Sequence, residues 1–106
     1  MQIIAVDLGG TRIRAACLDE GLNILERRET LTRASEGKAA VLGRIEDLIT
    51  SVWPGERAVS GIGVSSPGPL DPYQGIVLAP PNLPDWQRVP LAGLLEQRFA
   101  VPVRLG

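Results

Sequence analysis

Apolar and polar positions divide the chain into segments of different period. After Gln2, residues Ile3 to Val6 are continuously apolar, the pattern of a strand buried on both faces. Asp7-Leu8-Gly9-Gly10-Thr11 interrupts that run. Arg12 to Leu18 reads as a second strand, and Asp19-Glu20-Gly21 as a tight turn in which the glycine is free to take positive φ. Leu22 to Thr30 reads as a third strand, apolar at its start and charged in its second half. Successive strands joined by such short turns predict an antiparallel meander.

The pattern then changes to a helical one. From about Glu36 to Val52, Leu42, Ile45, Ile49 and Val52 recur at helical spacing, with Val41 and Leu48 beside them and Arg44, Glu46 and Asp47 on the other face. Gly43 weakens this helix, and Trp53-Pro54-Gly55 ends it. Val59 to Ser65 reads as a fourth strand, reached by a helical crossover and therefore parallel to a neighbour. Seven of the nine prolines fall between Ser66 and Pro90, which stiffens that segment into a long loop with one short strand near Gly75 to Leu78. Loops of this length inside a compact domain are usually functional or disordered, and the tryptophan, tyrosine and proline content of this one favours an ordered, functional loop. Pro90 suits the first position of a second helix carrying Leu91, Leu94, Leu95 and Phe99, stopped by Pro102, and Val101 to Leu105 begins a fifth strand. The order is strand, strand, strand, helix, strand, helix, strand, which is an α/β fold with a mixed sheet.

Composition narrows the chemistry. A length of 106 residues suits one domain with a modest core. The formal net charge of −1 and the scattered arginines give no electrostatic footprint for nucleic acid. No apolar run approaches the roughly 20 residues of a membrane span, and the amino terminus lacks the basic and apolar regions of a signal peptide, so the cytoplasm is the expected compartment. There is no histidine, which excludes histidine acid–base chemistry and histidine-ligated zinc. The single cysteine, Cys17, sits in an apolar stretch and reads as a buried reduced thiol.

Three segments carry candidate chemistry. In Asp7-Leu8-Gly9-Gly10-Thr11-Arg12, a carboxylate at a strand end precedes two glycines whose backbone can approach phosphate oxygens closely. Thr11 offers a hydroxyl, Asp7 suits a magnesium ion directly or through water, and Arg12 adds charge or points into solvent. A plain hairpin turn explains the same residues. The glycines lead into a strand and lack the Gly-Lys-Ser/Thr ending, so this is neither a dinucleotide fingerprint nor a P-loop. Gly61 to Asp71 places small residues at the carboxyl end of a strand, where α/β proteins bind ligands, though it too serves as a turn. In Ala79 to Trp86, Asn82 offers a donor and an acceptor that suit sugar hydroxyls, Trp86 reads as an anchor of the loop on the core, and Asp71 and Asp85 read as solvated loop carboxylates.

Taken in order, Asp-x-Gly-Gly-Thr-x-x-Arg, Gly-x-Gly-x-Ser-x-Pro-Gly-Pro and Pro-Pro-Asn-Leu-Pro-x-Trp resemble the ROK family of bacterial glucokinases, other hexose and N-acetylhexosamine kinases, and sugar-responsive repressors. The resemblance runs from Ile3 to Leu105. It implies one lobe of the actin-like, ribonuclease-H-like ATPase fold, with residues 1–106 as the amino-terminal lobe of a sugar kinase. Asp7, Gly9, Gly10, Thr11 and Arg12 would contact the phosphates of ATP, with Asp7 at magnesium, while Ser66, Pro67, Gly68 and Asn82 would line a hexose site, most simply for glucose.

In the family, the strand at Val101 to Leu105 runs directly into an Asn-Asp pair whose aspartate is the catalytic base. This chain ends at Gly106, before that pair, and without the carboxyl lobe, which holds the adenosine site and, in many members, zinc. The resemblance therefore implies a chain that is inactive alone and a full-length protein that forms a homodimer. The competing expectation is the sugar-sensing domain of a ROK repressor. Met1 lies directly at the first strand and leaves no room for a DNA-binding segment, which favours the kinase.

Overall fold

The computed structural model describes residues 1–56 and 58–106. In chain order the elements are β1 (Gln2–Leu8), β2 (Arg12–Leu18), β3 (Ile24–Leu31), α1 (Lys38–Val52), β4 (Val59–Ser65), β5 (Leu70–Asp71), β6 (Ile76–Val77), α2 (Leu91–Phe99) and β7 (Val103–Leu105). The main sheet has the order β3-β2-β1-β4-β7, and β5 pairs with β6 in a small separate hairpin. The meander β1-β2-β3 is antiparallel, while β4 runs parallel to both β1 and β7. This is the mixed sheet that the periodicities predict.

Both helices lie on one face of it. Register places Ile4 beside Cys17 and Ile62, and Val6 beside Ala15 and Val64. These side chains join Ile45 and Ile49 of α1 and Leu91 and Leu95 of α2 in a single buried cluster. Both crossovers, β3-α1-β4 and β4-α2-β7, advance the chain in the same direction across the sheet. Right-handed connections that advance the same way must use the same side. The other face carries no helix, and this corrects the expectation for the first strand. Ile4, Val6 and Leu8 are buried, but Ala5 and Asp7 are exposed, so β1 is covered on one side.

Local departures from the sequence reading have local causes. A 3-10 turn over Ala34–Glu36 precedes Gly37, whose φ of 100° is outside the helical region, so α1 starts at Lys38 rather than Glu36. In the β2–β3 turn the left-handed residue is Leu22, at φ 64°, and not Gly21. Asp19 Oδ1 there accepts both the Gly21 and Asn23 N–H groups and draws the turn around itself. Pro90 is the cap before α2 rather than its first helical residue, and Ala100, left-handed at φ 58°, closes the helix ahead of Pro102. At the carboxyl ends of the two helices, Trp53 and Phe99 stack with ring centroids 5.3 Å apart.

The proline-rich loop is packed. Leu83, Trp86 and Val89 are buried, and Trp86 is the largest fully buried side chain, so it anchors the loop and has no face left for a ligand. Val77 and Val89 exchange backbone hydrogen bonds at 2.8 and 2.9 Å, closing the loop on itself.

Gly43 offers a direct test of α1. A Cβ added there meets nothing within 4 Å, so Gly43→Ala removes only backbone freedom. It is expected to raise stability by about 0.5–1 kcal/mol, seen as a higher melting temperature. An unchanged or lower melting temperature would contradict the open space above that turn.

Candidate functional site

The parallel strands β1, β4 and β7 all end at one edge of the sheet, and that edge gathers most of the predicted site residues. Ligands in open α/β sheets bind outside the carboxyl ends of parallel strands. Asp7 and Ser65 are register partners at the ends of β1 and β4. Ser66 N–H donates to Gly106 O at 3.3 Å, and Gly106 N–H donates to Val64 O at 2.9 Å. The Ser66-Pro67-Gly68 turn thus stands beside the last residue of the chain. Among the described residues, the Ser66 hydroxyl bonds only within the turn, to Pro67 O at 3.3 Å.

Next along this edge, Gly9 to Thr11 form the β1–β2 hairpin. Gly9 N–H donates to Arg12 O at 2.9 Å, so this amide is occupied by the turn itself. A Cβ on Gly9 would lie 2.8 Å from the same oxygen. Among the described residues, the N–H groups of Gly10 and Thr11 have no acceptor. Two neighbouring free amides are the donor set expected of a small anion cradle.

The Asp7 carboxylate is exposed at the mouth of the hairpin, 3.8 Å from the Arg14 guanidinium. Arg14 also holds Glu29 at 3.1 Å, and Arg12 reaches the same Glu29 at 3.5 Å. Exposed pairs of this kind contribute roughly 0–1 kcal/mol, so Asp7 is oriented by Arg14 but not locked. Arg14 closes the Asp-x-Gly-Gly-Thr-x-x-Arg motif but received no site role from the sequence, and the hairpin register pairs it with Asp7. A groove of about 660 Å³ on the uncovered face of the sheet runs from Asp7 and Arg14 to Ser65. Among the described residues no group of three or more potential metal-ligating side chains occurs. A single exposed carboxylate such as Asp7 suits only a cation that keeps most of its ligands as water or phosphate oxygens, as magnesium does.

Asn82 arrives from the proline-rich loop. A Cβ on Gly10 would sit 2.6 Å from the Asn82 Cβ, so the two residues touch only because position 10 has no side chain. The hairpin and Asn82 are thereby brought together, while no hydrogen bond among the described residues ties Asn82 to the Ser66 turn. Asp85 and Asp71 are not simply solvated. Asp71 Oδ1 accepts the N–H groups of Tyr73 and Gln74 at 3.0 and 3.2 Å. Asp85 Oδ2 accepts Lys38 N–H at 2.6 Å and caps α1 from 47 residues away. Nothing local in the sequence announces this cap. Asp85→Ala is expected to cost about 1 kcal/mol of stability, measurable by chemical denaturation. An unchanged midpoint would show that the cap carries no stability.

Cys17 is buried as expected. Burial, with the Glu26 carboxylate as a smaller cause, pushes its thiol above the ordinary value. Iodoacetamide is therefore expected to leave Cys17 unmodified in the folded protein and to alkylate it after denaturation. Rapid labelling of the folded protein would refute its burial.

The model of the ROK family matches residues 3–106. The chain belongs to the ROK family. The glucokinase of Thermotoga maritima is 40% identical over 105 residues, covering 99% of this chain and 33% of that protein. The crystal structure of a ROK family glucokinase from Streptomyces griseus, in complex with glucose and AMPPNP, superposes with a TM-score of 0.87. It is 30% identical and covers 99% of this chain and 32% of that one. A ROK family transcriptional regulator, a homolog of the E. coli MLC protein, superposes with a TM-score of 0.82 at 21% identity, covering 99% of this chain and 27% of that one, and shares the fold. The ROK chain described here thus spans about a third of the length of the curated relatives it matches and has the actin-like ATPase topology of the ROK kinases. No helix among the described residues is long and apolar enough to cross a membrane.

Proposed function

We propose that this chain is the amino-terminal lobe of an ATP-dependent hexose kinase, with glucose as the first sugar to try. The observation that carries the reading is the contact between Gly10 and Asn82, which sets a candidate phosphate loop against a candidate sugar ligand. Similarity to glucokinases supports it. In this reading the Gly10 and Thr11 amides and the Thr11 hydroxyl hold phosphate oxygens, and Arg12 adds positive charge near them. Asp7 holds magnesium, which when bound neutralises phosphate charge. Asn82 orients the sugar, and Ser66, Pro67 and Gly68 close the site from the β4 side. Catalysis of this kind is mainly positioning and charge stabilisation, which needs both reactants clamped and the hydroxyl activated. This chain brings half of the clamp; the base would follow β7, and the other half of the clamp would belong to a carboxyl lobe in which many ROK members hold zinc. The full-length protein is proposed to work in the cytoplasm as a homodimer, without nucleic acid or membrane as a partner.

The test is ADP release by the full-length protein with magnesium ATP and a panel of hexoses, with the 106-residue chain run in parallel. Sugar-dependent release by the full-length protein and none by the short chain is the expected result. Sugar binding by calorimetry with no turnover on any hexose would replace the kinase with the sensor reading, whose fold the ROK regulator shares.

A further inference from the structure

We infer that Thr32, held by Arg44, is a positioning residue that aims the Gly10 amide; the inference rests on the hairpin being the phosphate loop proposed above. Thr32 directly follows β3 and is fully buried. All of its polar groups are engaged. Its hydroxyl donates to Gly9 O at 2.7 Å, its N–H donates to Thr11 O at 2.8 Å, and its carbonyl accepts from Arg44 Nη1 at 2.8 Å. The Glu36 carboxylate, in the 3-10 turn ahead of α1, pairs with the same guanidinium and fixes Arg44.

The consequence follows from peptide geometry. In a planar trans peptide, the carbonyl of one residue and the N–H of the next point in opposite directions. Drawing Gly9 O down onto a buried hydroxyl therefore turns Gly10 N–H outward, away from Thr32. That amide is one of the two with no acceptor among the described residues. Because the bonds from Thr32 reach both Gly9 and Thr11, the peptide between Gly9 and Gly10 cannot flip without breaking a buried hydrogen bond. Arg44 closes the chain of contacts, so a residue on α1 sets the direction of a donor at the sheet edge.

Thr32→Val keeps the shape and removes the hydroxyl, whereas Thr32→Ser restores it. In the full-length protein, Thr32→Val is expected to raise KM for ATP or lower kcat by about ten-fold in combination, the scale of one unmade hydrogen bond to a buried group. Sugar affinity by calorimetry should stay within about two-fold, and Thr32→Ser should recover most of the loss. Hydrogen exchange over Gly9–Thr11 should quicken in Thr32→Val and not in Thr32→Ser, a readout that needs no turnover. Asp85→Ala, which weakens the same end of α1 without touching Thr32, should leave KM for ATP unchanged. Should Thr32→Val fail to fold, Arg44→Met tests the same contacts from the far side and predicts a smaller change in the same direction.

Normal ATP kinetics and exchange in Thr32→Val would overturn the inference, as would Thr32→Ser behaving like Thr32→Val or Asp85→Ala sharing the ATP defect. If no variant or parent turns over any sugar, the kinase reading fails, and the exchange comparison still decides whether Thr32 braces the hairpin.

Discussion

Gly10→Ala in the full-length protein is expected to reduce kcat/KM for phosphoryl transfer about a hundred-fold, the penalty for displacing a positioned group by about 1 Å. The new methyl would stand 2.6 Å from the Asn82 Cβ, a separation that side-chain carbons do not tolerate, so the hairpin and the Asn82 loop must move apart. The cause is steric and not conformational, because Gly10 has no positive φ. Over-packing of this kind costs about 1–3 kcal/mol of stability. The double variant Gly10→Ala with Asn82→Gly removes the opposing Cβ. It should regain the thermal stability while staying inactive, because the proposed sugar ligand has gone. Full activity of Gly10→Ala would show that the contact has no part in catalysis.

Asp7→Asn is the second large effect. Asparagine keeps the size of the side chain and removes the charge that would hold magnesium. Turnover should fall by about 10²–10³-fold, the usual consequence of losing one charge-stabilising group in a phosphoryl-transfer site. Sugar affinity should change by less than about two-fold, since Asp7 faces Arg14 and the groove rather than Asn82. Equal losses in turnover and sugar affinity would remove Asp7 from the metal–phosphate role. The charge pair with Arg14 is exposed and weak, so the fold itself should be unaffected.

Much of the architecture was legible in the sequence because period and punctuation agree there. The segments Arg12 to Leu18 and Val59 to Ser65, both read as strands, coincide with β2 and β4. Trp86 anchors the proline-rich loop on the core, as its sequence context suggested. What escaped the sequence depends on residues far apart in it. A continuous apolar run does not reveal that one face of β1 is uncovered, because covering is decided by the side on which the crossovers pass. Asp85 caps a helix from beyond the next strand, and Thr32 reads as an ordinary threonine until its bonds to Gly9 and Thr11 are seen. Asp7, Gly10 and Asn82 were each recognisable as candidates. Only the fold could put the last two in contact.

The outer edge of the sheet bears on how such a lobe survives its own synthesis. As the amino-terminal third of the proposed kinase, it leaves the ribosome well before anything that would dock against it. An unpaired edge strand in that interval invites pairing with another chain. The middle of β3 is Glu26-Arg27-Arg28-Glu29, which puts one charge of each sign on either face of the strand, and Arg28 pairs with Glu26 on one of them. A second chain aligned there would have to bury or mismatch those charges. In the proposed kinase, the charged β3 edge would thus guard the nascent lobe against aggregation while the remainder of the polypeptide is still being made.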